Sequence, residues 1–532
     1  MLKLTTHRSP LFAKLVKHTN FRNSVSRFHL QRYASTEILE NKELLSSEAF
    51  VNGEWILPQK KQEEGDQYTQ FGVSNPSNGE NLINVSNYGI SDFNSAISIA
   101  HETFKETRFS LTQRQRSDML YRIYELMQEN RVDLARLITL ENGKPLKDAL
   151  GEINYSASYF KWFAEEAPRL YGNIIPSSTS TSKTIYSVRQ PLGVVGILTP
   201  WNFPSAMIAR KLAPVIATGN TTVIKPAAET PLSALVYGLL CNKAGVPKGM
   251  VNILPTTYTA QIGELICSHE LIKKVTFTGS TKIGKLLMEQ SSRESPSIKK
   301  FSMELGGNAP FIVFNDADIE KALDGVIACK FRQSGQTCIC ANRIFVQEEI
   351  YDEFAKKLVD RVSKFKLGDG FESTVTHGPL IHSKAVEKVS SLVQDAKVKG
   401  ATVLIGGVRA STIGPLFYHP TVITDVNESM HLFNEEIFGP VAPLIKFKTV
   451  DEVIERANSV DVGLAGYAYS TNLKTIHAIS QRLETGMIGI NNSSISDCAL
   501  PFGGVKNSGL GREGSLYGIN DYTEVKSVVL DV

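Results

Sequence analysis

Five short stretches carry side chains whose types and spacing could do chemistry. In Phe331-Arg332-Gln333-Ser334-Gly335-Gln336-Thr337-Cys338-Ile339-Cys340, two of the chain's six cysteines stand one residue apart. Such a pair could hold a metal, close a disulfide, pack as small hydrophobes, or supply a nucleophile with a companion. Thr199-Pro200-Trp201-Asn202-Phe203-Pro204 fixes an asparagine in a stiff loop, where its amide could close an Asx turn or donate to a developing oxyanion. Ile224-Lys225-Pro226-Ala227-Ala228-Glu229 sets a lysine directly after an apolar run, where cations meet ribose or phosphate or simply stay solvated. Phe277-Thr278-Gly279-Ser280-Thr281-Lys282-Ile283-Gly284 brings small residues to a helix start, so backbone amides can approach a pyrophosphate, although the GxGxxG spacing is missing. Ser302-Met303-Glu304-Leu305-Gly306-Gly307 embeds an acid in apolar surroundings, which raises a carboxyl pKa and suits a general base unless the acid is salt-bridged.

The elements that must position these side chains follow from periodicity. From about residue 190, apolar runs at Leu192 to Leu198, Thr221 to Ile224, Val251 to Leu254 and Val275 to Thr278 alternate with helical stretches. Gly219 and Gly245 end two of those helices. Strict alternation predicts a doubly wound α/β fold, a parallel sheet covered on both faces that binds its ligands at the strands' carboxyl ends.

Composition narrows the function. With 532 residues, of which 42% are hydrophobic and 21% charged, the chain can bury a large core in two or three domains. A net charge of +3 offers no polyanion-binding surface, so nucleic acid is not expected as a partner. No CxxC pair or Cys/His cluster has zinc spacing, so no metal is expected, and the scattered cysteines fit a reducing compartment. The longest uncharged stretch, Gln190 to Ala209, is broken by three prolines, which argues against a membrane span.

Seven motifs stand in one order between residues 200 and 514: PWNFP, IKPA, FTGST, MELGG, GQTC, EEIFGP and the spaced PFGG-K-SG-GREG. As a set they resemble the aldehyde dehydrogenase superfamily over essentially the whole chain after the N-terminal stretch. PWNFPSAMIARK and FRQSGQTCICANR are similar to its succinate-semialdehyde branch. The resemblance implies that a thiolate at Cys338 attacks the aldehyde, that Asn202 and the Cys338 backbone N–H hold the oxyanion, and that Glu304 activates the water that hydrolyses the thioester. It further implies that Lys225 meets the adenosine ribose, Gly279 and Ser280 the pyrophosphate, and Glu436 the nicotinamide ribose, with Trp201, Gly284 and Phe438 also at the cofactor site. Members specific for NAD place a Glu where this chain has Ala228, with the acid displaced to Glu229. Losing that repulsion makes room for a 2′-phosphate, so NADP is expected, with NAD also accepted. Arg210, Arg332 and Ser496 match positions that clamp a second carboxylate, implying succinic semialdehyde as substrate, as in 4-aminobutyrate degradation. Glutaric semialdehyde, or a noncatalytic role, is the alternative. Relatives in this branch share the C-x-C spelling, and Cys340 is expected to act as a redox partner of Cys338, or else to pack as a buried hydrophobe.

Residues 1–36 contain seven Lys or Arg and no acid, the composition of a mitochondrial transit peptide, with processing near residue 33 and a matrix enzyme as the result. The expected architecture has a cofactor-binding domain at 46–171 and 191–304, interrupted by an oligomerisation hairpin at 172–190. A catalytic domain at 305–495 follows, and a segment at 496–532 returns to the hairpin. The family implies a homo-oligomer, dimer or tetramer.

Overall fold

A computed structural model describes residues 37–59 and 69–531. The expected transit peptide lies outside the described residues. One sheet has eight strands in the order Glu54–Ile56, Ala49–Val51, Val251–Ile253, Thr221–Lys225, Val194–Leu198, Ile272–Thr278, Lys300–Glu304 and Gly509–Leu510. Its five middle strands are parallel and its outer ones antiparallel. Val194–Leu198 and Thr221–Lys225 are buried at every position, as strands covered on both faces must be.

The helix Ala206–Thr218 is buried along its entire length and stops at Gly219, whose φ of 78° suits a residue without a Cβ. Of four helices that the motif reading left unassigned, Gln113–Glu129, Arg131–Asn142 and Leu146–Glu166 share the core of Ala206–Thr218, and Ile90–Thr107 covers the opposite face of the sheet. Gln113–Glu129 starts on a capping box, in which Thr112 and Gln115 satisfy each other's backbone amides. Leu146–Glu166 packs directly on Ala206–Thr218.

A second sheet orders Thr402–Ile405, Thr421–Thr424, Val441–Phe447, Ala341–Gln347, Ala309–Val313, Ala465–Tyr469 and Met487–Ile490, parallel apart from its first pair. Ile174–Pro176 and Lys183–Pro191 form a hairpin, and Thr523–Asp531 adds to it antiparallel, running from Thr523 opposite Pro191 to Asp531 opposite Lys183. This three-stranded arm exposes Ile174, Val525 and Val529. Among the described residues no helix is long and apolar enough to cross a membrane.

Candidate active site

The strand register collects the first sheet's carboxyl ends on one edge. Leu198 pairs with Lys225, Phe277 with Leu198, and Thr278 with Glu304. The Pro200–Pro204 loop, Lys225, Gly279-Ser280 and Glu304 therefore emerge side by side. Cys338 comes from the second sheet, in the loop leading into Ala341–Gln347.

That loop is held in an unusual shape. Gln333, Ser334 and Gly335 all adopt left-handed backbone, with φ of 55°, 52° and 74°. At Gly335 a side chain is excluded outright, because a Cβ would sit 2.1 Å from the Gly439 carbonyl. Strain of this kind persists only where surroundings over-determine it. Here they do: Gln333 Nε2 donates to the Asn202 carbonyl and to Asn142 Oδ1, each at 2.7 Å. Asn202 Nδ2 in turn donates to the Gln336 carbonyl at 3.0 Å. Lys144 Nζ reaches the same Asn202 carbonyl at 2.9 Å while pairing with Glu152 at 2.5 Å. The Cys338 loop and the Asn202 loop are thus laced together across the two sheets, and one amide proton of Asn202 and the Cys338 backbone N–H have no acceptor among the described residues.

Cys338 lines two cavities at once, one of about 320 Å³ and the other of about 370 Å³. Burial pushes the thiol up to about 12; Arg210 is the one charge opposing the rise, and Glu436, Glu304 and Cys340 add to it. The resting group is a thiol, whose proton must leave as sulfur attacks.

The smaller cavity also bears Phe203, Tyr155, Arg210, Arg332 and Ser496. The two arginines differ. Arg332 is exposed, stacks 5.5 Å from the Phe203 ring centre and has no ion-pair partner among the described residues. Arg210 is 2% exposed, lies 3.8 Å from the Phe502 ring centre, and has its Nε 2.7 Å from Glu513 Oε2. Its charge is therefore already compensated, because a guanidinium buried this deeply requires a counter-ion.

Glu513 and Lys211 are the functional residues the motif reading passed over. Lys211 Nζ donates to Glu513 Oε1 and, at 2.7 Å, to Thr278 Oγ1. Both sit inside motifs already quoted, ARK and GREG, but pairing across 302 positions leaves no local signal. Burial raises the Glu513 carboxyl, but Arg210 and then Lys211 outweigh it and hold the group below its ordinary value. Glu304 ends its strand beside this pair. Burial, then Glu513, holds its carboxyl well above the usual range, and its Oε2 accepts no hydrogen bond. The elevated acid read from the sequence is present, standing just behind the cavity walls rather than on them.

The larger cavity is lined by Trp201, Gly279, Ser280, Glu436 and Phe438. Its chemistry fits a dinucleotide. The helix Thr281–Glu294 starts at Ser280 with no side-chain cap, leaving its first amides free for an anion. Gly306 keeps the floor open, since a Cβ there would lie 3.0 Å from Glu436 Oε2. Glu436 Oε1 accepts from the Gly307 amide at 3.1 Å, and Phe438 meets Trp201 edge-on at 5.6 Å. Lys225 is buried, which lowers its pKa to about 8 against the charge of Glu229, and Ala228 lies three residues on. Gly284 stands apart from this cavity. It lets the helix close on Leu305, whose Cδ2 would be 2.5 Å from a Cβ, so its role is packing.

Cys340, the expected redox partner of Cys338, is enclosed. Its thiol is buried and donates to the Gly335 carbonyl at 3.2 Å and more weakly to Lys330 at 3.7 Å. All six cysteines are free.

A cysteine at the junction of an anion-accepting cavity and a dinucleotide-sized one, with a high-pKa carboxyl behind it, defines an α/β enzyme of covalent oxidation chemistry. Residues 63–528 match the aldehyde dehydrogenase family, and the chain belongs to that family. It is 49% identical to the succinate-semialdehyde dehydrogenase [NADP(+)] of Saccharomyces cerevisiae, over 94% of this chain and 98% of that one. It is 47% identical to the mitochondrial succinate-semialdehyde dehydrogenase of Arabidopsis thaliana, over 93% and 91%. The crystal structure of an Escherichia coli NADP-dependent enzyme superposes with a TM-score of 0.89 at 46% identity, covering 93% of this chain and all of that one.

Proposed function

We propose that the protein oxidises succinic semialdehyde to succinate with NADP as the preferred acceptor. The observation that carries this is Arg332, a cation without an ion-pair partner among the described residues, lining the same cavity as Cys338. A guanidinium fork takes a carboxylate bidentately, and Ser496 adds a hydroxyl on the same wall.

The steps follow from the residues. Cys338 sulfur adds to the aldehyde carbon as its proton passes to water, and the alkoxide formed is met by the free Asn202 amide proton and the Cys338 N–H. A nicotinamide held in the cavity lined by Trp201, Glu436 and Phe438 would supply the hydride acceptor for that carbon. What remains on Cys338 is a thioester. Glu304, once deprotonated, takes a proton from water, whose oxygen adds to the thioester carbon and releases succinate and the thiol. Trp201, Phe438 and Glu436 would hold the nicotinamide end, Ser280 and the helix amides the pyrophosphate, and Lys225 the adenosine ribose. Ala228 favours NADP by placing no carboxylate against a 2′-phosphate.

Residues 1–36 are read as a transit peptide and the matrix as the compartment, supported by their basic composition and by a mitochondrial relative. The exposed apolar residues of the three-stranded arm support oligomerisation through it, which light scattering on a chain ended before Thr523 would test.

The deciding experiment is reduction of NADP and NAD by the purified enzyme with succinic semialdehyde, glutaric semialdehyde and butanal. The four-carbon acid aldehyde with NADP should give the highest kcat/KM. Preference for NAD by about a hundredfold removes the cofactor assignment, preference for butanal removes the substrate, and no turnover removes the enzyme.

A further inference from the structure

Gln336 has a side chain that none of the proposed steps uses. It is 2% exposed and lines neither cavity, yet both ends of its amide are committed. Its Oε1 accepts the Ile381 N–H at 3.0 Å and its Nε2 donates to the Pro379 carbonyl at 3.3 Å, so the side chain pairs with segment 377–381 as a neighbouring strand would. Two residues earlier, Ser334 Oγ donates to the Gly378 carbonyl at 2.7 Å. The segment is itself fixed from behind. Leu380 N–H donates to the Leu416 carbonyl at 2.9 Å, and Gly378 lies so close to Gly143 that a Cβ would stand 2.0 Å from the Gly143 carbonyl.

The same segment leads straight to the larger cavity. His382 follows it, caps the helix Ser383–Val398 by accepting the Ala385 N–H at 3.0 Å, and meets the Trp201 ring edge-on at 6.2 Å. His382, Lys384 and Ala385 line that cavity. In the other direction, the Gln336 main-chain carbonyl is the acceptor that holds Asn202 Nδ2. One residue thus holds the asparagine with its backbone and the segment behind the cavity wall with its side chain.

We propose that Gln336 is a positioning residue: its side chain clips the Cys338 loop to segment 377–381, and through that clip the two oxyanion donors stay in register with the wall of the dinucleotide cavity. This rests on the reading of Cys338 as the nucleophile and of Asn202 as an oxyanion donor. The backbone shows why a clip is needed. Gln333 and Ser334 stand at φ of 55° and 52°, a costly region for residues with a Cβ, so a released loop would relax toward ordinary dihedrals. Only Thr337 separates the Gln336 carbonyl from the Cys338 N–H, so relaxation would turn both together. An amide suits the task, because it offers a strand-like partner one donor and one acceptor without carrying charge into the interior.

The test compares two variants in the purified enzyme. Gln336→Met keeps the length and removes both bonds, whereas Gln336→Glu, whose carboxyl burial keeps protonated, can still accept from Ile381 and donate to Pro379. Gln336→Met should slow the first turnover of NADPH formation about tenfold to a hundredfold. Its KM for succinic semialdehyde and its Kd for NADP by calorimetry should change by less than about threefold. Gln336→Glu should return to within about fivefold of the parent rate. Hydrogen exchange read by mass spectrometry separates positioning from general weakening. In Gln336→Met the peptides covering 332–340 and 377–386 should exchange about tenfold faster, with Val194–Leu198 and Thr221–Lys225 unchanged. If Gln336→Met does not fold, Ser334→Ala, which removes only the bond to the Gly378 carbonyl, should show the same pattern at about threefold. A first turnover within about twofold of the parent in the folded variants, a Gln336→Glu no faster than Gln336→Met, or exchange raised evenly across both sheets overturns the proposal. Turnover that survives Cys338→Ala would instead overturn the nucleophile on which it rests.

Discussion

Lys144→Met tests the lacing between the two loops. Lys144 and Glu152 are 1% and 0% exposed, and their 2.5 Å contact is joined by the Lys144 bond to the Asn202 carbonyl. Removing one partner of a buried ion pair costs about 3–5 kcal/mol, because the other charge is stranded. Glu152 Oε1 still accepts the amides of Ser205 and Ala206 at 2.9 and 3.1 Å, at the start of the helix Ala206–Thr218, so the lower end, about 3 kcal/mol, applies here. At about 2–4 °C per kcal/mol, the first melting transition should fall by roughly 6–12 °C. Asn202 keeps its bond from Gln333, so displacement of the oxyanion donor is partial, and kcat should drop about tenfold to a hundredfold. Glu152→Gln added to Lys144→Met discharges the stranded acid while keeping an oxygen for the two amides, and should restore at least half of the lost stability. Calorimetry and steady-state kinetics on both variants decide the matter. A double variant no more stable than Lys144→Met alone, or a single variant melting within about 2 °C of the parent, refutes the reasoning.

Three further outcomes are expected. Glu304→Gln should give a burst of NADPH and then a steady rate about 10²–10⁴-fold below the parent, because hydride transfer precedes the step that needs the base; loss of the burst as well would assign the residue elsewhere. Because burial and then Glu513 hold the Glu304 carboxyl above its ordinary value, the parent's kcat should climb with pH as that proton leaves, and the Gln variant should lack this limb. Fusion of residues 1–36 to a fluorescent reporter should direct it to mitochondria, and a cytosolic signal would remove the targeting assignment.

Much of the cofactor side could be read from the chain, since strands buried on both faces and helices closed by glycine leave local marks. Val194–Leu198, Thr221–Lys225 and Gly219 are found as the alternation predicts. The acid at Glu304, the asparagine at Asn202 and the cysteine at Cys338 were visible as residue types in stiff or apolar contexts. What the chain could not reveal depends on distant partners. Glu513 reaches Lys211 and Arg210 from some three hundred residues away, so the ion pair that Arg210 makes leaves no local mark in the chain. Enclosure likewise leaves no local pattern: around the Cys338 thiol burial outweighs the neighbouring Arg210. Gly284 resembled a phosphate-loop glycine, but the space it keeps free is the space Leu305 occupies.

The sulfur of Cys338 stands where two separate chambers meet, and this bears on how the two halves of the proposed reaction share it. On that reading a tethered acyl group would fill the chamber that bears Arg332, while the dinucleotide would fill the other, so that the two would touch only at the sulfur.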